Sequence, residues 1–228
     1  MKKVVIFGAS GGLASFLIND FVQENCLVDG ITRSKKGCEE KYDLILKKSN
    51  RHFNIKEVNE NYSEFEFQKD YDILILPQAV FEPNELINKN DTEIENEIKV
   101  GLTEIIKITR NFLTKFPPKN NGSKNIAIIG STSAYSGFKK TTTYCAIKHG
   151  LLGFVRALNS EYENTNYRFF LFSMGTMKTE MSKKIIDQDP DTFLEPSYVS
   201  KKIVNSLLDS TNLFEPEVLI KRRLIRYI

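Results

Sequence analysis

Histidine is nearly missing from this 228-residue chain: His52 and His149 are the only two. A histidine-based metal site is therefore not expected. Cysteine is scarce as well. Cys26, Cys38 and Cys145 are odd in number and lack metal-ligand spacing, so they read as reduced thiols of a cytoplasmic protein. No apolar run approaches the roughly 20 residues of a membrane span. The opening Met1-Lys2-Lys3 has a signal peptide's charge, but the apolar stretch behind it is broken at once by Gly8. A dominant charge is lacking too: 32 Lys and Arg face 29 Asp and Glu, and a net +3 implies neither nucleic acid nor an anionic membrane as partner. Repeats, low-complexity linkers and composition breaks are also missing. With 41% hydrophobic and 27% charged residues the chain can bury a sizeable core, and we expect one soluble domain over residues 1–228.

What is present is an alternation of short apolar runs and longer periodic segments. Residues 3–7 and 27–32 read as strands, the first wholly apolar and so buried on both faces. Residues 37–70 are polar, and a helix, a third strand and a short helix are expected there. A fourth strand at 72–77 is stopped by Pro77. Residues 91–116 carry Ile94, Ile98, Leu102, Ile105, Ile106 and Leu113 at helical spacing, which predicts one long amphipathic helix ended by Pro117-Pro118. Strands at 126–129 and 168–172 flank a helix at 144–159. A helix at 198–208 and a strand at 217–220 follow, before a basic tail, Lys221-Arg222-Arg223. Segment 173–196 is irregular and polar, a candidate lid. Strands alternating with helices imply an α/β, doubly wound parallel sheet of Rossmann type with helices on both faces.

Two stretches carry chemistry. Behind the first strand comes Gly8-Ala9-Ser10-Gly11-Gly12-Leu13-Ala14 and then a helical pattern. Strand, glycine turn and helix in that order present backbone N–H groups and a helix N-terminus to a pyrophosphate. Gly8 lets the chain turn, and Gly12 lets backbone approach the phosphates. The second strand ends in Thr32 followed by Arg33-Ser34-Lys35-Lys36, where a ribose-binding acid would stand in an NAD site. An arginine there can fork onto a 2′-phosphate, so NADP(H) is expected over NAD(H). Asp29, the competing acid, lies inside the strand, too early to serve.

The other stretch is Ser131 to Lys148. Tyr144 and Lys148 are four apart, hence on one helix face about 5–6 Å apart at Cβ. An ammonium beside a phenol is expected to lower its pKa and make it a proton donor or acceptor near neutrality. Ser131 or Ser133, just past the apolar run 126–129, can bind the same substrate oxygen. Alone, such a Tyr–Lys pair is commonplace on solvated helices; together with the glycine turn it gains weight.

These motifs, in this order, resemble the short-chain dehydrogenase/reductase family over nearly the whole chain. Gly8-x-x-x-Gly12-x-Ala14 is similar to Thr-Gly-x-x-x-Gly-x-Gly, with Phe7 and Ala14 at the altered positions. Residues 72–79 resemble Asp-x-x-x-Asn-Asn-Ala-Gly but read Leu76-Pro77-Gln78-Ala79 at the end. Tyr144-x-x-x-Lys148 matches outright, and Ser131 precedes the tyrosine by the family's 13 residues. Residues 174–179 resemble Pro-Gly-x-x-x-Thr, with Met174 for the proline. The resemblance implies Tyr144 as general acid/base, Ser131 polarising a carbonyl, and Lys148 tuning the phenol and holding the nicotinamide ribose. It implies further cofactor contacts from Gly8, Ser10, Gly11, Gly12, Leu13, Thr32, Arg33, Ser34, Pro77, Gln78, Ala79, Gly175, Thr176 and Thr179.

The implied activity is interconversion of a small carbonyl compound and its alcohol, in a homodimer or homotetramer built on the 91–116 and Tyr144 helices. One departure stands out: the helix asparagine that supports a water relay to the lysine falls at Gly101. That departure and the altered 76–79 stretch keep a second reading open, a nucleotide-binding regulator or scaffold with little or no catalysis.

Overall fold

The computed structural model describes residues 1–48, 52–118, 122–211 and 214–222. Seven parallel strands form one sheet: β1 (Lys3–Phe7), β2 (Leu27–Thr32), β3 (Phe53–Glu57), β4 (Ile73–Leu76), β5 (Lys124–Ile129), β6 (Tyr167–Met174) and β7 (Glu217–Ile220). Their spatial order is β3-β2-β1-β4-β5-β6-β7. The order reverses between β1 and β4, so the crevice at the carboxyl ends of β1, β4 and β5 is where a doubly wound sheet holds its ligand. The helices are α1 (Gly12–Gln23), α2 (Lys35–Lys48), α3 (Asp91–Ile98), α4 (Glu104–Lys115), α5 (Thr142–Glu161) and α6 (Pro196–Leu208).

Strand side chains alternate between two cores. Val4 and Ile6 join α1, α2 and α6 on one face, while Val5 and Phe7 join α4 and α5 on the other. Both faces are covered, which is why the central strands β1 and β4 read as apolar runs. Phe67, Phe169, Phe170 and Phe172 are buried in these layers, as core aromatics should be. Of the basic tail, Arg223 lies outside the described residues.

The expected single helix over 91–116 is interrupted. Residues Lys99–Thr103 form a π turn between α3 and α4. The extra residue in that turn rotates the apolar face. Ile105, Ile108 and Phe112 then bury on the sheet, while Ile98 and Ile106 remain 38% and 39% exposed. Gly101 meets α5 so closely that a Cβ on it would lie 3.0 Å from Ile147 Cγ2. Segment 173–196 holds two short 3-10 turns, Glu180–Lys184 and Pro190–Thr192.

Candidate active site

Tyr144 and Lys148 sit one turn apart on α5, beside the end of β5. Lys148 is 2% exposed, and its Nζ donates to the Ile129 carbonyl at 2.8 Å. The same ammonium stands 5.4 Å from the centre of the Tyr144 ring. Burial lowers Lys148 from 10.5 to about 8, because the charged form has lost its water and has no carboxylate in exchange. Tyr144 is half-buried, with the Phe81 ring edge-on at 4.9 Å.

The phenol corrects an expectation. Burial pushes Tyr144 up to about 12, and the influence of the Ser131 hydroxyl pulls back only part of that rise. The lysine charge faces the ring and the Ile129 carbonyl, and desolvation outweighs any gain it offers to phenolate. Ser131 is the serine whose hydroxyl acts on the phenol, and its Oγ accepts from the Ser133 N–H at 3.1 Å. Ser133 is itself buried in that turn.

The glycine turn lies across the crevice. Gly8 has φ +62, a left-handed conformation that suits glycine, and its carbonyl accepts from Gly11 N at 2.8 Å. α1 begins behind Gly11 with no side chain capping it, so its first N–H groups stay open to an anion. Ser10, Gly11 and Gly12 are exposed, while Leu13 is buried and serves the core. Thr179 packs against Gly12, 3.0 Å from where a Cβ would be, so segment 173–196 meets the glycine turn.

At the end of β2, Thr32 is fully buried and its Oγ1 accepts from Ser34 N at 3.1 Å, which closes the turn. Arg33 is exposed, its guanidinium 5.4 Å above the Tyr62 ring. Asp29 is engaged elsewhere: it takes hydrogen bonds from Tyr71 at 2.5 Å and Lys69 at 3.1 Å, and pairs with Lys56 at 3.2 Å. Sequence reasoning passed over Lys41 of α2, whose Nζ donates to the carbonyls of Ser10 at 2.9 Å and Gly11 at 3.0 Å. A signal was available, since Lys41 borders the stripe Cys38, Tyr42 and Ile45 that packs α2 inward.

Pro77, Gln78 and Ala79 follow β4. Gln78 is 7% exposed, its Cβ lies 3.7 Å from the Cβ position of Gly8, and neither polar atom of its amide has a partner. Such an amide calls for a ligand or water. Behind it, Glu97 is buried, pairs with Lys89 at 2.5 Å and accepts from Glu82 N at 3.2 Å, next to Phe81. In segment 173–196, Gly175 N donates to Ile220 O at 2.9 Å and the Thr176 hydroxyl donates to Gln188 at 3.0 Å. Lys178, Lys183 and Lys184 pair with Glu195, Glu180 and Glu82, so the lysines of that segment are matched by acids. Among the described residues no group of three or more His, Cys, Asp or Glu could hold a metal. None of the described helices is long and apolar enough to cross a membrane.

Fold and crevice together define a class, the doubly wound α/β proteins whose ligand lies where the strand order reverses. The chain belongs within it to the short-chain dehydrogenases, an oxidoreductase family whose model matches residues 2–190. It is 28% identical over 195 residues to the 3-oxoacyl-(acyl-carrier-protein) reductase FabG of Buchnera aphidicola subsp. Acyrthosiphon pisum, covering 81% of this chain and 77% of that one. It is 23% identical over 220 residues to human 17-beta-hydroxysteroid dehydrogenase 13, covering 90% and 70%. An alcohol dehydrogenase from the archaeon Thermococcus sibiricus, solved with 5-hydroxy-NADP, superposes with a TM-score of 0.85 at 16% identity over 100% of both chains. A serine dehydrogenase complexed with NADP+ superposes with a TM-score of 0.82 at 17% identity, covering 96% and 94%.

Proposed function

We propose that this protein is an NADP(H)-dependent oxidoreductase that interconverts a small carbonyl compound and its alcohol, with Tyr144 as general acid and base. The observation that carries the reading is the cluster of Ser131 hydroxyl, half-buried Tyr144 phenol and buried Lys148 ammonium at the switch point of the sheet. The crevice suits a nicotinamide dinucleotide. α1 offers uncapped N–H groups, Gln78 an unpartnered amide, and the end of β2 an exposed arginine resting on the Tyr62 ring, with Asp29 already neutralised. When bound, the cofactor supplies or accepts the hydride.

The chain's own residues do the rest. Ser131 donates to the substrate oxygen and fixes it beside the phenol. Tyr144, protonated far above neutral pH, gives its proton to that oxygen as the carbonyl is reduced and takes it back in the reverse direction. Lys148 stabilises the phenolate left behind, because in a dry site a nearby cation counts for more at the moment charge develops than in the resting state. Thr179 and Gly175, on a lid already against Gly12, close the nicotinamide end. Arg33 and Ser34 hold the adenosine end, with Thr32 shaping the turn. Ile98 and Ile106, over a third exposed on neighbouring helical turns, support a homodimer or homotetramer through that face.

The test follows NADPH absorbance with a panel of ketones, keto-sugars and keto-acyl thioesters. Tyr144→Phe is expected to lower turnover at least about 100-fold, the usual worth of a general acid. Undiminished turnover would refute the assignment. The scaffold reading has its own support in Gly101, whose side-chain space is occupied by Ile147, so that a relay asparagine has no room. It predicts NADPH binding with no turnover on any member of the panel.

A further inference from the structure

We propose that Lys41 is a specificity-determining residue that binds the 2′-phosphate of the cofactor, opposite Arg33, and so makes the protein choose NADP(H) over NAD(H). The proposal rests on the dinucleotide reading above and assigns a new residue to it. Lys41 comes from the second turn of α2, yet its ammonium reaches back to the glycine turn, bonding Ser10 O at 2.9 Å and Gly11 O at 3.0 Å. An ammonium has three N–H donors. Two are used on these carbonyls, and the third is left for an anion.

The position is built rather than accidental. The next residue, Tyr42, donates its hydroxyl to Ala9 O, so consecutive residues tie α2 to the glycine turn. At the end of β2, the Tyr62 ring carries the Arg33 guanidinium at 5.4 Å. Between them α2 opens with Lys35 and Lys36 and has no acid in its first turn. The Lys35 ammonium has Glu39 at 3.7 Å, but among the described residues no carboxylate pairs with Lys41 or Arg33. Partial burial lowers the Lys41 pKa, as expected of a cation given only carbonyl dipoles in place of water. Two cations, one on α2 and one just past β2, with the exposed Ser10 and Ser34 of the adjoining turns, suit a dianionic phosphate on a ribose. The pyrophosphate is left to the N–H groups of α1.

The experiment is calorimetric titration of wild type, Lys41→Met and Lys41→Arg with NADPH, NADH, adenosine 2′,5′-bisphosphate and AMP. Circular dichroism melts establish that each variant is folded. Lys41→Met is expected to weaken NADPH and the bisphosphate at least about tenfold while NADH and AMP stay within about twofold. Lys41→Arg should keep most of the preference. Equal losses on phosphorylated and unphosphorylated ligands would overturn the proposal and leave Lys41 as a brace for the glycine turn. Unchanged affinities would overturn it also. A wild type that binds NADH as well as NADPH would overturn the NADP(H) reading itself, an outcome separable from the other two because it appears before any substitution is made.

Discussion

Two buried charges, Asp29 on β2 and Lys148 on α5, are nearly equal in exposure at 2% each and opposite in treatment. Burial alone would raise Asp29, but the hydrogen bonds from Tyr71 and Lys69 and the charge of Lys56 outweigh it, and its pKa ends below the ordinary value. Lys148 has one carbonyl and the face of a ring, and burial takes it down to about 8. The first charge is neutralised by its neighbours and braces the sheet. The second is left in need of a counter-charge, and in the proposed mechanism one arises on the Tyr144 oxygen during proton transfer. On that proposal, the buried charge its surroundings have not satisfied stands at the reacting end of the crevice.

The difference can be broken at several points. The largest effect is in the pH dependence of stability. The folded pKa of Lys148, about 8, lies below its unfolded value of 10.5, so the unfolded chain binds the extra proton between those limits. Unfolding free energy should therefore gain up to about 3 kcal/mol from this group as pH rises through that window. Urea titrations at pH 7.5 and 9.5 should show a slope in wild type that Lys148→Met lacks; parallel slopes would contradict the assignment.

Asp29→Asn comes next. It removes a charge whose partners Lys56 and Lys69 are partly exposed, and is expected to cost about 2 kcal/mol at pH 7, below the full cost of breaking a closed pair. Because the Asp29 pKa is depressed in the fold, its contribution is present above about pH 4 and disappears as pH falls through the folded value. Acid titration of unfolding in wild type and variant reads this directly. NADPH affinity should be unchanged, since Asp29 is spoken for by Tyr71 and the lysines; a loss of NADPH affinity would return Asp29 to the ribose.

The smallest effect is at Gly101. Gly101→Ala gains helix propensity, roughly 1 kcal/mol, against a Cβ 3.0 Å from Ile147 Cγ2, so the single variant should stay within about 1 kcal/mol of wild type. Adding Ile147→Leu, which removes the Cγ2 methyl, should restore room, and thermal melts should show the pair more stable than additivity of the two single changes.

Much of the fold was legible because a parallel sheet buried on both faces leaves an unmistakable sequence pattern. β1, β2 and β7 lie where the apolar runs place them, and the glycine turn stands between β1 and α1. Helical spacing likewise put Tyr144 and Lys148 together. The π turn at Lys99–Thr103 was hidden, since one inserted residue changes which face is buried without changing composition. The balance of forces on Tyr144 was hidden too. Spacing places a lysine beside a phenol, but only coordinates reveal that its ammonium turns to Ile129 O and that burial dominates. Lys41 escaped for a related reason: a lysine reads as solvated until a distant loop is seen to bring carbonyls to it.

The measurement closest to the central claim is made on Lys148→Met, with unfolding free energy and NADPH-linked turnover read from one preparation at pH 7. Removing a buried ammonium relieves about 3 kcal/mol of desolvation and forfeits about 1 for the bond to Ile129 O, so the variant should be more stable by about 2 kcal/mol. It should at the same time be nearly inactive, the exchange expected where a strained group serves function. A variant that is less stable than wild type and still turns over would show Lys148 to be an ordinary member of the core, and the account of the reacting site would fall with it.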